Sequence, residues 1–250
     1  QYAAYACVKL AQNAEVRTTI TEAGGLEPVL YLARTDEPEI QRQVLPALSC
    51  MSFHDANKVP IVRHGGLETV VRAIKDTVAE NSRLACCTIA NLAEMAVNFD
   101  LVADSGAIIN LVSVLNSPSE EVKRESARAL GNLAANIELG DVILREGALQ
   151  FLVPMLRSSD YLTQRMAAMA ICNLSSNIRN QPYMLDNGLF EPLLHETQLS
   201  LDPKSKSDHE CTRYCLLTLT NLAVNPDNHS MLMKYALATL AEFSKHRDIK

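Results

Sequence analysis

GGLEPVL at residues 24–30, GGLETVV at 65–71, GAIINLV at 106–112, GALQFLV at 147–153 and GLFEPLL at 188–194 are one motif written five times, each copy 41 residues after the last. A second column keeps the same step: Lys9 in CVKLA, Cys50 in LSCMS, Asn91 in IANLA, Asn132 in LGNLA and Asn173 in ICNLS. Its next member, Asn221 in LTNLA, comes 48 residues on, so the last full unit carries an insertion of seven. Two columns in one register mark a repeat architecture, in which each unit buries its faces only against its neighbours.

Within a unit the apolar spacing is helical. Ala167, Ala168, Ile171 and Leu174 surround Asn173, and Ser126, Ala127, Leu130 and Leu133 surround Asn132. Small and apolar residues spaced in this way form one broad face of a helix. A second helix is predicted upstream, as over Ile108 to Leu115 or Leu149 to Leu156, and a shorter first helix before the glycine, as over Asn57 to Arg63. The glycine stands where a left-handed residue closes a helix without a Cβ clash. Asn116-Ser117-Pro118-Ser119-Glu120 and Ser158-Ser159-Asp160 supply loop and N-cap chemistry before the third helix.

A period near 41, a Gly between the first two helices, and a third helix of the form A-x-x-A-L-x-N-L-A resemble the armadillo repeat; Ala167 to Ser175 come close to that form. The resemblance covers essentially the whole chain and implies an all-α fold, a right-handed superhelical α-solenoid with three helices per ~41-residue unit. HEAT repeats are near neighbours, but they usually have two helices and lack this Gly and Asn pair. The expected organisation is a single array over 1–250: a third helix of a partial repeat at 1–12, repeats at 13–54, 55–95, 96–136, 137–177 and 178–225, and the start of another at 226–250. With no initiating Met and a helical pattern already under way at residue 1, the chain reads as an excerpt of a longer protein.

Composition agrees. Hydrophobic residues make up 48% and charged residues 21%, enough apolar material for a core, while Trp is absent and aromatics are 5%. Leu, Ile, Val, Ala and Met must therefore fill that core, which suits packed helices. A net charge of -6 argues against general nucleic-acid binding. No apolar run approaches the ~18–20 residues that cross a bilayer. The seven Cys lack metal-like or disulfide-like spacing, which fits a reducing compartment, and a cytoplasmic location, cytoskeletal or organelle-associated, is expected.

In armadillo solenoids the third helices line the concave face, so the resemblance makes their exposed stripe the candidate binding surface. That stripe carries Asn91, Asn132, Asn173 and Asn221; Arg42, Arg83, Arg124, Arg165 and Arg213 stand eight residues earlier, and Asn136 and Asn177 four residues later. An amide offers both a donor and an acceptor to a ligand backbone, and a guanidinium holds carboxylate or phosphate in a fork. The expected function is a non-enzymatic scaffold or adaptor that docks peptide segments, acidic or phosphorylated by preference. Two structural roles stay open: the arginines satisfying helix ends or neighbouring acids, and the asparagines bridging units.

Alternative functions are a structural component of a large cytoskeletal assembly such as the ciliary axoneme, and nuclear import. Importin-α-like adaptors place Trp four residues before the Asn; here Cys87, Arg128, Met169 and Leu217 stand there. No cofactor, metal or small-molecule ligand is expected. His209-x-Cys211-x-x-x-Cys215 lacks the spacing of a zinc finger, Cys87 is placed on the groove side, and the six His are scattered, with no G-x-S-x-G, P-loop or H-E-x-x-H motif. Leu194 to Glu210 reads as a solvated loop, with Ser205 and Ser207 as candidate phosphorylation sites.

Overall fold

The computed structural model describes residues 2–13, 17–202 and 208–245. It contains α1 (Tyr2–Ala11), α2 (Arg17–Glu22), α3 (Leu26–Ala33), α4 (Pro38–Met51), α5 (Asp55–Arg63), α6 (Gly66–Ala73), α7 (Ala79–Leu92), α8 (Phe99–Asp104), α9 (Ala107–Val114), α10 (Glu120–Leu133), α11 (Ile137–Arg145), α12 (Leu149–Met155), α13 (Tyr161–Ser175), α14 (Gln181–Asp186), α15 (Phe190–Leu201), α16 (His209–Ala223), α17 (His229–Tyr235) and α18 (Leu237–Phe243). Short 3₁₀ turns at Ala96–Asn98 and Pro226–Asn228 lead into α8 and α17. No strand occurs among the described residues, and the architecture is an α-solenoid, as the repeat spacing predicts.

The third helix of each unit stacks on the third helix of the next, so that α4, α7, α10, α13 and α16 form one layer. The second helices α6, α9, α12 and α15 cover this layer from one side. Alanines set the spacing: Ala85, Ala127, Ala129, Ala167 and Ala170 are wholly buried. At Gly131 the approach is closer still. A Cβ there would lie 2.6 Å from Met169 Cε and 3.3 Å from Ala170 Cα, so α10 and α13 meet where the smallest residue stands.

All five column glycines adopt positive φ, from 77° at Gly24 to 89° at Gly65. Each lets a short first helix end and the second start at once, in a conformation that strains any other residue. The caps of the third helices fall where the polar stretches predict them. Ser119 accepts from Val122 N at 3.4 Å, and Asp160 from Thr163 N at 3.0 Å.

One expectation is corrected. Leu194 to Glu210 is not a loop throughout, because α15 continues to Leu201 and α16 begins at His209. The insertion extends the second helix to 12 residues, against 8 in α9. Glu196 and Thr197 are buried on its inner side, and Gln198 donates to Thr239 of α18 at 3.3 Å, so this extension has partners to pack against. Residues 203–207, with Ser205 and Ser207, lie outside the described residues.

Candidate functional site

Stepping along a third helix by three and four residues picks out the stripe left uncovered by the other helices. On α13 it holds Leu162, Arg165, Met166, Met169 and Asn173; on α16, Glu210, Arg213, Tyr214, Leu217 and Asn221.

The asparagine column links units. Asn132 Nδ2 donates to Ala90 O at 2.9 Å, Asn173 Nδ2 to Gly131 O at 2.8 Å, and Asn221 Nδ2 to Cys172 O at 3.2 Å and Ser175 Oγ at 2.9 Å. Each amide thus fastens its helix to the helix of the preceding unit. All three side chains remain half-buried, and among the described residues their Oδ1 atoms accept no hydrogen bond. Asn91 is different. It is 2% exposed, donates to Ser52 Oγ at 2.9 Å, and has its Oδ1 occupied by Arg128. Asn136 and Asn177 are committed locally: Asn136 Oδ1 caps α11 by accepting from Glu138 N and Leu139 N, while Asn177 donates to Asp141 at 2.8 Å and accepts from Arg179 N.

The arginine column is charge-compensated along its length. Arg42 pairs with Glu39 and Asp76, Arg83 with Glu80, Arg124 with Asp160 and Glu125, Arg165 with Asp208, and Arg213 with Glu210. Two patterns recur. One is a glutamate three residues before the arginine; the other is an acid at the start of the next third helix. The hydrogen-bonded guanidinium is the main influence holding Glu80, Asp208 and Glu210 below the usual carboxylate range. The stripe therefore presents matched pairs, not a bare positive field.

One feature was not anticipated, and another modifies the expectation that Cys87 faces the groove. A second asparagine column, Asn57, Asn98, Asn180 and Asn228, is buried and ties the first helix to the third. Each donates Nδ2 to the carbonyl six residues earlier: Met51 at 3.0 Å, Leu92 at 2.9 Å, Leu174 at 3.2 Å and Leu222 at 2.9 Å. Its steps of 41 and 48 were visible in the sequence, but Leu139 interrupts it. The second feature is Cys87. It is 6% exposed, lying beneath Arg128, and burial pushes its thiol up; burial also raises Cys86, to about 12. Neither is an activated nucleophile. No group of three His, Cys, Asp or Glu side chains among the described residues is placed to hold a metal.

The Armadillo/beta-catenin-like repeat family matches residues 97–135 and 141–176. No curated protein matches the chain. Similar solved structures include an engineered protein at 29% identity, covering 88% of each chain with a TM-score of 0.74. Another, described as computationally designed armadillo repeat proteins for modular peptide recognition, is 23% identical, covers 88% of this chain and 92% of that one, and has a TM-score of 0.76. A designed armadillo repeat protein in complex with peptide (KR)4 is 24% identical, with the same coverage and a TM-score of 0.73.

Proposed function

We propose that this chain, which belongs to the armadillo-repeat proteins, is a non-enzymatic scaffold that docks an extended segment of another protein along the stripe of its third helices. The observation that carries this reading is the row of half-buried amides at Asn132, Asn173 and Asn221, one per unit, each with an unoccupied acceptor. A polypeptide backbone presents N–H groups at intervals, so a row of amide oxygens recognises extended chain whatever its side chains. The designed protein described as for modular peptide recognition and the one in complex with peptide (KR)4 are in keeping with it.

The paired arginines refine the choice of ligand. Glu80–Arg83 and Glu210–Arg213 are i,i+3 pairs on partly exposed side chains. Such surface pairs are weakly held, because water screens them. A ligand carboxylate or phosphate exchanges with the resident glutamate at small cost and gains a fork-shaped contact. Acidic or phosphorylated residues are thus accepted at the flanks of a docked segment, while backbone and apolar contacts supply most of the affinity. A basic segment of the nuclear-import type is disfavoured, since Arg128 occupies one of the positions where tryptophan would be needed.

Peptides selected from a random phage-displayed library against the chain provide the test, with methyl-labelled methionine as the reporter. Met166 and Met169 sit on the stripe, whereas Met233 is 62% exposed on α17. Docking in the groove shifts the first two resonances and leaves Met233 unmoved. The reverse pattern places the binding surface on the outer helices and ends this reading.

A further inference from the structure

We infer that Arg128 is a latch that closes the groove at Asn91 and confines a docked segment to the half running from Asn132 to Asn221. This rests on the docking function proposed above and adds to it a boundary and a ligand chemistry.

The latch is built from one side chain reaching backwards by a unit. Arg128 leaves α10 and places both Nη atoms 3.0 Å from Asn91 Oδ1 on α7. Nη2 also donates to Cys87 O at 3.2 Å and approaches Cys87 Sγ at 3.4 Å. Glu125 holds Nε at 2.9 Å, and Glu94 lies 3.6 Å from Nη1. Arg128 takes the Asn91 oxygen, Ser52 accepts one of its two Nδ2 hydrogens, and at 2% exposure the side chain is out of reach of a ligand.

The sequence position of the latch explains why the rest of the groove stays open. Arg128 stands four residues before Asn132, and the same position is Met169 in the next unit and Leu217 in the one after. Neither thioether nor alkyl side chain donates a hydrogen bond. Asn132 and Asn173, the partners that these residues would reach, therefore keep free oxygens. The open half is also the apolar half, since Leu162 is 45% and Leu217 40% exposed there, beside the partly buried Met166 and Met169.

The occupant that fits is an extended protein segment with bulky apolar side chains seated against Met169 and Leu217. Packed helices lie ~8–10 Å apart and an extended chain advances ~3.3 Å per residue, so about three residues cover each unit step. Roughly six to eight residues then reach from Asn132 to Asn221, with the two anchors about three residues apart.

The test uses the whole chain and peptides from the random phage-displayed selection. Asn173→Ala is expected to weaken binding about tenfold, the value of one hydrogen bond of ordinary strength, while Asn91→Ala stays within about twofold of wild type. Met169→Arg installs a second latch over Asn132 and abolishes binding. A readout without ligand guards against misfolding of the Asn91 variant. N-ethylmaleimide modifies Cys87 slowly in the wild type and at least about tenfold faster in Arg128→Ala, with Cys7 and Cys50 as internal controls in mass spectra. Equal losses from Asn91→Ala and Asn173→Ala overturn the latch and leave the docking function standing, as does unchanged Cys87 protection in Arg128→Ala. Silence of Asn132→Ala, Asn173→Ala and Asn221→Ala together overturns the docking function and the latch with it.

Discussion

Asp208→Asn removes one charge from the groove and leaves the shape of the side chain almost intact. Asp208 performs two tasks: it caps α16 by accepting from Cys211 N at 2.8 Å, and it takes the Arg165 guanidinium in a fork at 3.1 and 2.6 Å. The two side chains are 32% exposed for Arg165 and 13% for Asp208. That is drier than an open surface pair, worth ~0–1 kcal/mol, and wetter than a buried charged hydrogen bond, worth ~1.5–3 kcal/mol. We therefore assign the pair about 1 kcal/mol. Asparagine can still cap, so Asp208→Asn costs that amount, and Asp208→Ala forfeits the cap for a further ~1 kcal/mol.

The sign with pH follows from the depressed carboxyl of Asp208, whose largest cause is the Arg165 hydrogen bond. A folded value below the unfolded ~3.9 means that the contribution is complete above that pH and is lost as pH falls through the folded value. The assay is urea unfolding of the four chains in a double-mutant cycle with Arg165→Gln, at neutral pH and again in strong acid. A coupling near 1 kcal/mol at neutral pH that disappears in acid is expected. A coupling within ~0.3 kcal/mol of zero at neutral pH, or one that persists in acid, refutes the reasoning. The same substitution uncovers Arg165, so it should tighten binding of a peptide carrying glutamate or phosphoserine and leave a neutral peptide unaffected.

Gly106→Ala should cost ~1–2 kcal/mol in urea unfolding, because nothing crowds the added methyl and only the left-handed backbone at φ +78° opposes it. Gly65→Ala should cost more, since its methyl meets Arg34 Cγ at 2.9 Å and disturbs the Arg34 bond to His64 O; equal losses at the two sites count against this account. Glu196→Gln should stabilise the chain at neutral pH. Burial raises that carboxyl, so its stabilising protonated form is lost as pH climbs through the raised value; thermal melts between about pH 4 and pH 7 should converge at the acid end. Asn98→Ala should cost ~1–3 kcal/mol by leaving Leu92 O without its buried donor, and hydrogen exchange should report the loss locally, in α7 and α8.

The solenoid was readable because its determinants are local. Five glycines at one step demand the same left-handed turn, and Ser119 and Asp160 cap helices a few residues away. The α15 extension was missed because polar composition outweighed position. Glu196 and Thr197 are polar, yet they face a neighbouring layer that the sequence does not display. The positions proposed for the groove follow from register, while their partners were harder to read. The i,i+3 acids Glu39, Glu80 and Glu210 stand in plain sight beside their arginines. Arg165 meeting Asp208, 43 residues on, and Arg128 reaching back 37 residues to Asn91 depend on how units stack. Periodicity locates such side chains without revealing which atoms they consume.

The most direct measurement is a crystal structure of the chain with a peptide from the phage selection. Extended peptide is expected across α10, α13 and α16, with peptide N–H groups within about 3 Å of the Oδ1 atoms of Asn132, Asn173 and Asn221. A peptide seated on the first or second helices, with those oxygens facing solvent, would contradict this expectation.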